Sequence, residues 1–255
     1  MSTHDPQLDE ALRTVRQSTE FFDAALARLE RAEHEGGRVS GDDVYDQPSL
    51  LPGWRRRHVI AHVAANARAF LRLAEWARTG TEHPMYPSRE ARDAEIESLA
   101  ARPALELRCL HRQGAAELDG CWRDATRPVW EARVRTAQGA DIPFSETVWM
   151  RARELWLHAV DLDAGLGFED VPPEVLARLL RDITGHWSSQ GADDGPAVRL
   201  EVTDHPELAP EVPLPATGGE PALVRGTLAA VVGWASGRDA SGLDAGAEVP
   251  APRWL

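Results

Sequence analysis

Apolar residues recur at steps of three and four through most of this chain, and that spacing limits what it can fold into. In residues 5–33, Leu8, Leu12, Val15, Phe22, Leu26 and Leu29 fall on one stripe of a helix. A second stripe runs through Val59, Val63, Phe70 and Leu73 in a helix over 54–79, which Gly80 stops. Further helical stretches cover 88–100 and 103–119, and another starts near Pro143 and continues to Asp163. A helix with one apolar stripe is stable only when other helices cover that stripe. Residues 1–166 are therefore expected to form an up-and-down four-helix bundle.

"GLGFEDVPP" is the clearest linker, and the pattern changes beyond it. A helix over 173–187 precedes two strand-like runs, "AVRLEVT" (197–203) and "ALVRGT" (222–227), with a proline-rich stretch near 210–215 between them. The small-residue helix "LAAVVGWASG" follows. Residues 171–255 read as a small α+β domain, which makes the whole chain α+β. Within the first half, "TRPVWEARVRTAQGADIP" alternates weakly and reads as an extended excursion between helices.

A net charge of −13 argues against nucleic acid and anionic membranes as partners, because both need a basic face. No apolar run reaches the roughly 20 residues that span a bilayer. The acidic, polar start "MSTHDPQLDE" is unlike a secretory signal, so the cytoplasm is the expected compartment. A monomer is the expected state. Two cysteines, Cys109 and Cys121, supply neither a disulfide framework nor a cysteine-rich zinc site. The chain has no lysine at all; its 28 basic residues are arginine. Schiff-base chemistry and a lysine general base are therefore absent, and arginine is the one permanent anion binder.

Against that background "RARELWLHAVDLDAG" (151–165) stands out. Glu154 and His158, four apart, share one face of a helix whose neighbours Trp149, Leu155, Trp156, Leu157, Val160 and Leu162 leave little room for water. A carboxylate in such a setting needs a cation. The helix "HVIAHVAANA" carries His58 and His62, also four apart; His62 lies closer to the stripe of Val59 and Val63, while His58 turns toward the arginine-rich start of the helix. His62, Glu154 and His158 together make a His₂Glu set with a fourth position open, the pattern of a catalytic zinc site. Asp161, one turn beyond His158, is either the acceptor for its second ring N–H or an ordinary surface charge.

"SLLPGWRRRHVIAHVAANA", "EHPMYPSREAR", "TAQGADIPFSETVWMRARELWLHAVDL", "WSSQGA", "GWASGRDASG" and "EVPAPRWL" together resemble the mycothiol-dependent maleylpyruvate isomerases, whose metal domain is a DinB-like bundle. The resemblance spans essentially the whole chain. It places the metal ligands on His62, Glu154 and His158. It also implies two domains with the active site between them, and cis–trans isomerisation of maleylpyruvate to fumarylpyruvate in gentisate-type aromatic degradation. The implied cofactors are a divalent metal, zinc, and mycothiol. In that chemistry a thiolate adds to the conjugated double bond, the saturated bond rotates, and elimination returns the trans isomer.

The substrate is a dianion, so arginine belongs in the site. Arg238, in the glycine-flanked "SGRDASG", is the first choice for catalysis and substrate binding; Arg92, in "SREARDAE", is the second choice for substrate binding. Gln190 in "WSSQGA" is assigned to the thiol cofactor. The main alternative is a metal-dependent thiol S-transferase or hydrolase on the same bundle, since one fold hosts many reactions. A zinc-containing regulatory module is a further alternative, though such modules usually fix zinc with cysteines that this chain does not place there.

Overall fold

The computed structural model describes residues 6–35, 43–190, 197–210, 220–252 and 254. The chain divides into two compact units, Met1–Gly165 and Leu166–Leu255.

Four long helices make the first unit: α1 (Pro6–Glu35), α3 (Arg56–Thr79), α5 (Ala104–Asp124) and α7 (Glu146–Asp161). Shorter helices α2 (Asp43–Asp46), α4 (Arg89–Ala100) and α6 (Arg127–Glu131) fill the connections. α1 packs on α7, α3 on α5, and α3 also meets α7, so α3 is the central helix. Its composition suits that place. Ala61, Ala64, Ala65, Ala67 and Ala69 are all buried and let neighbouring backbones come close, while Phe70 and Leu73 fill the space beyond. One close approach is to Gly114 of α5, where an added Cβ would stand 2.8 Å from the Ala67 Cβ.

The helix ends follow their sequence signals. Gly80 takes the left-handed conformation (φ 73°) and donates its N–H to the Trp76 carbonyl, closing α3. The Ser88 hydroxyl accepts from the Ala91 N–H and starts α4. At the base of the bundle Arg56 holds α7 against α3. Its Nε donates to the Leu162 carbonyl at 2.8 Å and its Nη2 to the Asp163 carbonyl at 2.7 Å. The carbonyls just past the C-terminal end of α7 thus find a donor at the start of α3.

The weakly alternating segment contains α6 and a hairpin, β1 (Arg133–Arg135) against β2 (Asp141–Pro143), with Val134 opposite Ile142. Pro143 therefore ends a strand, and α7 begins three residues later than the apolar pattern suggests.

The second unit holds α8 (Pro173–Gln190), β3 (Val198–Val202), β4 (Ala222–Gly226), α9 (Leu228–Ala235) and β5 (Leu243–Ala245). The strand order is β3-β4-β5, with β3 and β4 parallel and β4 and β5 antiparallel. α8 and α9 pack together through Trp187 and Trp234, whose rings meet edge-on at 5.9 Å. Thr227 caps α9 by accepting from Ala230, and the Asp204 carboxylate accepts from the Leu228 N–H. The chain is α+β, a helical bundle followed by a smaller mixed part. The proline-rich stretch lies outside the described residues from 211 to 219. Among the described residues no helix is long and apolar enough to cross a membrane.

Candidate metal centre

His62 sits in the middle of α3 and is 5% exposed, with buried Val59 and Val63 beside it. His58, one turn earlier, does a different job. Its Nδ1 accepts from the Arg55 N–H at 3.1 Å, capping the start of α3, and its Nε2 lies 3.7 Å from Glu97. The two histidines four apart on one helix are thus separated by task, one inward and one structural.

α7 delivers the other two groups. Its apolar face, with Val148, Leu155 and Val160, is buried, and Glu154 and His158 meet His62 where α7 crosses α3. The Glu154 Oε2 lies 2.9 Å from His62 Nε2 and 3.4 Å from His158 Nε2. The two imidazole rings stand edge-on, with centroids 4.6 Å apart. One ligand atom from each residue comes within 4.8 Å of the others.

His158 is oriented from behind. Its Nδ1 lies 2.8 Å from the Oδ2 of Asp161, which is fully buried. The hydrogen-bond network assigns the Nδ1 proton to the bond with Asp161, which turns Nε2 toward Glu154. Asp161 is therefore the acceptor for the histidine, and the surface-charge alternative falls away.

The electrostatics match a site built for positive charge. Burial alone would raise the Glu154 carboxyl, but hydrogen bonds from His158 and His62 outweigh it and hold the group well below the usual carboxylate range. Burial would lower His158, yet Asp161 and Glu154 raise it above its ordinary value. His62 goes the other way: burial wins over Glu154 and lowers it. Two imidazole nitrogens and a carboxylate oxygen, turned to one point, fit a divalent cation of borderline softness with a position left for a further ligand. A cation held there would also balance the charge of the half-buried Glu154 carboxylate.

Sequence reasoning missed two residues whose surroundings involve the site. The Trp54 ring lies 5.7 Å from the His62 ring and forms part of its surroundings. Tyr86 is pushed up to about 12, chiefly by burial and also by Glu154. Periodicity cannot place either, because both precede helices in loops; the available signal is that each loop carries a proline, Pro52 two residues before Trp54 and Pro87 after Tyr86.

Arg92 lies in the first turns of α4, with its side chain 32% exposed and its Nη1 3.0 Å from Asp93. Its charge reaches the site and helps to lower both His62 and Tyr86. Arg238 belongs to the second unit, in the turn after α9, where Gly237 has φ 74°. Its backbone N–H donates to the Gly233 carbonyl and its Nη1 to the Ser236 carbonyl at 2.8 Å. Gln190 is the last residue of α8, and its side chain lies outside the described residues. Cys109 is exposed and Cys121 half-buried, both on α5 and away from the three ligand residues in sequence.

A family profile described as the mycothiol maleylpyruvate isomerase N-terminal domain matches residues 15–163, a span that includes His62, Arg92, Glu154, His158 and Asp161. Two solved structures are similar over nearly the full length, one of a mycothiol-dependent maleylpyruvate isomerase and one of a histidine-to-alanine variant of such an enzyme. Each is 40% identical, covers 96% of this chain and 96% of its own, and superposes with a TM-score of 0.83. No curated protein sequence matches the chain. With more than half its length matched by the family profile, and the likeness to the solved structures continuing through the second unit, this chain belongs to the mycothiol maleylpyruvate isomerase N-terminal domain family.

Proposed function

We propose that this protein isomerises maleylpyruvate to fumarylpyruvate with mycothiol as an external thiol, at a divalent metal, zinc by preference, held by His62, Glu154 and His158. The observation that carries this reading is the meeting of those three ligand atoms within 4.8 Å, inside the span that the family profile matches. When bound, the metal would keep a thiol sulfur ionised at neutral pH, and the thiolate supplies reversible addition to a conjugated double bond.

The chain's own residues have defined tasks in this scheme. His62 and His158 present neutral imidazole nitrogens, and Glu154 supplies the negative charge that a divalent ion requires. Asp161 fixes the tautomer and direction of His158. Arg92 and Arg238 are the proposed carboxylate grips, chosen because a planar guanidinium matches a carboxylate with two parallel hydrogen bonds. Gln190 is proposed as a polar contact of the thiol cofactor. With no lysine in the chain and neither cysteine adjacent in sequence to a ligand, the nucleophile comes from outside. The cytoplasm, where small thiols stay reduced, is the proposed compartment.

The test is conversion of maleylpyruvate followed with the metal-loaded protein, with and without mycothiol. Turnover should require mycothiol, and glutathione should serve far less well. Full turnover in thiol-free buffer would overturn the proposal and favour a hydrolase.

A further inference from the structure

His62 stands on α3, and Glu154 and His158 stand on α7, so the spacing and rotation of these two helices decide where the ligand atoms meet. Polar ties cross the seam between the helices on either side of the ligands. At the base, Arg56 of α3 donates to the Leu162 and Asp163 carbonyls just past α7. On the other side the tie runs in the opposite direction, from Arg151 of α7, which is 1% exposed. Its Nη1 donates to the Val63 carbonyl at 2.8 Å and to the Asn66 Oδ1 at 2.6 Å.

Both ends of this second tie lie within one turn of a ligand. Val63 follows His62 directly and Asn66 is one turn on, while Arg151 is three residues before Glu154. Asn66 is 6% exposed, in a stretch of α3 where Ala64, Ala65, Ala67 and Ala69 are buried. Its side chain makes no other hydrogen bond among the described residues, so accepting from Arg151 accounts for an amide buried there. Burial lowers the Arg151 guanidinium to about 10 while Glu154 opposes that shift, so the group is a cation at neutral pH and both bonds are charge-assisted. Helices pinned on both sides of a ligand set hold the ligand atoms near one geometry before an ion arrives.

We propose that Arg151 and Asn66 are positioning residues of the metal centre. Their bond, with the Arg56 tie at the other end, fixes the placement of α7 on α3 that brings Glu154 and His158 to His62. This role rests on the proposed metal site and extends it to two residues that are not ligands.

The test uses the full chain. Asn66→Ala and Asn66→Leu remove the acceptor, one by truncation and one at similar volume, and leave the three ligands and the charge of Arg151 in place. Asn66→Asp keeps an oxygen at the same position. Zinc affinity, measured by competition with a chromogenic chelator, should fall about tenfold in the Ala and Leu variants, the lower end of what the outer partners of metal ligands contribute, and should match or exceed the wild type in Asn66→Asp. Cobalt(II) bound in place of zinc should show altered visible absorption bands in the first two variants and wild-type bands in the third, a change of ligand geometry that lost stability alone does not produce. The proposal fails if either folded variant without the acceptor keeps wild-type zinc affinity and cobalt bands, whatever its Tm. It fails equally if Asn66→Asp loses as much affinity as Asn66→Ala. A wild type that takes up no zinc overturns the metal site and the brace with it, whereas equal uptake by all four proteins overturns the brace alone.

Discussion

Replacing Asp161 probes how the metal centre is oriented, because the residue contacts a ligand without being one. Its carboxylate lies 2.8 Å from His158 Nδ1 and is fully buried, while its backbone carbonyl separately accepts from the Leu50 N–H at 3.0 Å. A side-chain substitution leaves that backbone bond in place. Asp161→Asn keeps size and an acceptor oxygen but removes the charge, so His158 becomes a weaker ligand in an unchanged position. Asp161→Ala removes the acceptor and frees the ring to turn. Losing such a partner costs about 10- to 100-fold in metal affinity, or about 1.4–2.8 kcal/mol. Asn should fall at the lower end and Ala at the upper. The assay is competition for zinc against a chromogenic chelator, with circular dichroism and Tm confirming an intact fold. If Asp161→Ala binds zinc within about twofold of the wild type, the orienting role assigned to this residue is wrong.

Arg92→Ala and Arg238→Ala should each keep their metal and lose about ten- to a hundredfold in kcat/KM for maleylpyruvate, the worth of a charge-assisted hydrogen bond, with little recovery on substitution by Lys; wild-type turnover in either variant removes that arginine from the site. Two glycines of α5 should respond with opposite signs to alanine. Gly114→Ala drives a Cβ to 2.8 Å from Ala67, an overpacking cost of about 1–3 kcal/mol that exceeds the roughly 1 kcal/mol gained in helix propensity, whereas Gly120 has open space and gains from the change; thermal melts of the two variants decide this. His111, fully buried and 3.1 Å from Asp23, is lowered below 6.5 mainly by burial, so the unfolded chain binds the extra proton first and stability falls as pH drops below 6.5 toward the folded value. Tm measured across pH 5–7 (roughly the histidine range) should slope less steeply in His111→Gln, and an identical slope would assign the pH sensitivity elsewhere.

The long helices were legible because burial and sequence share one period. Val15, Phe22, Leu26 and Leu29 of the first stripe are all buried, as are Val59, Val63, Phe70 and Leu73 of the second. The same stripe distinguishes His62 from His58 in the sequence alone. Short elements were harder to read. β5 is three residues long with one exposed, and β1 and β2 carry too few buried positions to show a period of two. Asp161 could not be decided from spacing, since three residues after His158 is equally a place for a solvated carboxylate; only the packing of α7 against its neighbours buries it. Arg151 went unnoticed for the opposite reason. An arginine in "WMRARELW" looks like a surface residue, although its place three before Glu154 put it on the inward face. Trp54 and Tyr86 reach the site from loops, whose course no helical or strand period specifies.

The measurement that bears most directly on the metal site is stoichiometry by elemental analysis for the wild type, His62→Ala and His58→Ala after exposure to zinc and removal of excess. The geometry predicts one zinc per chain in the wild type, close to none in His62→Ala, and one again in His58→Ala, whose imidazole caps α3 instead of joining Glu154 and His158. Loss of zinc from His58→Ala with full retention in His62→Ala would contradict the assignment of the centre.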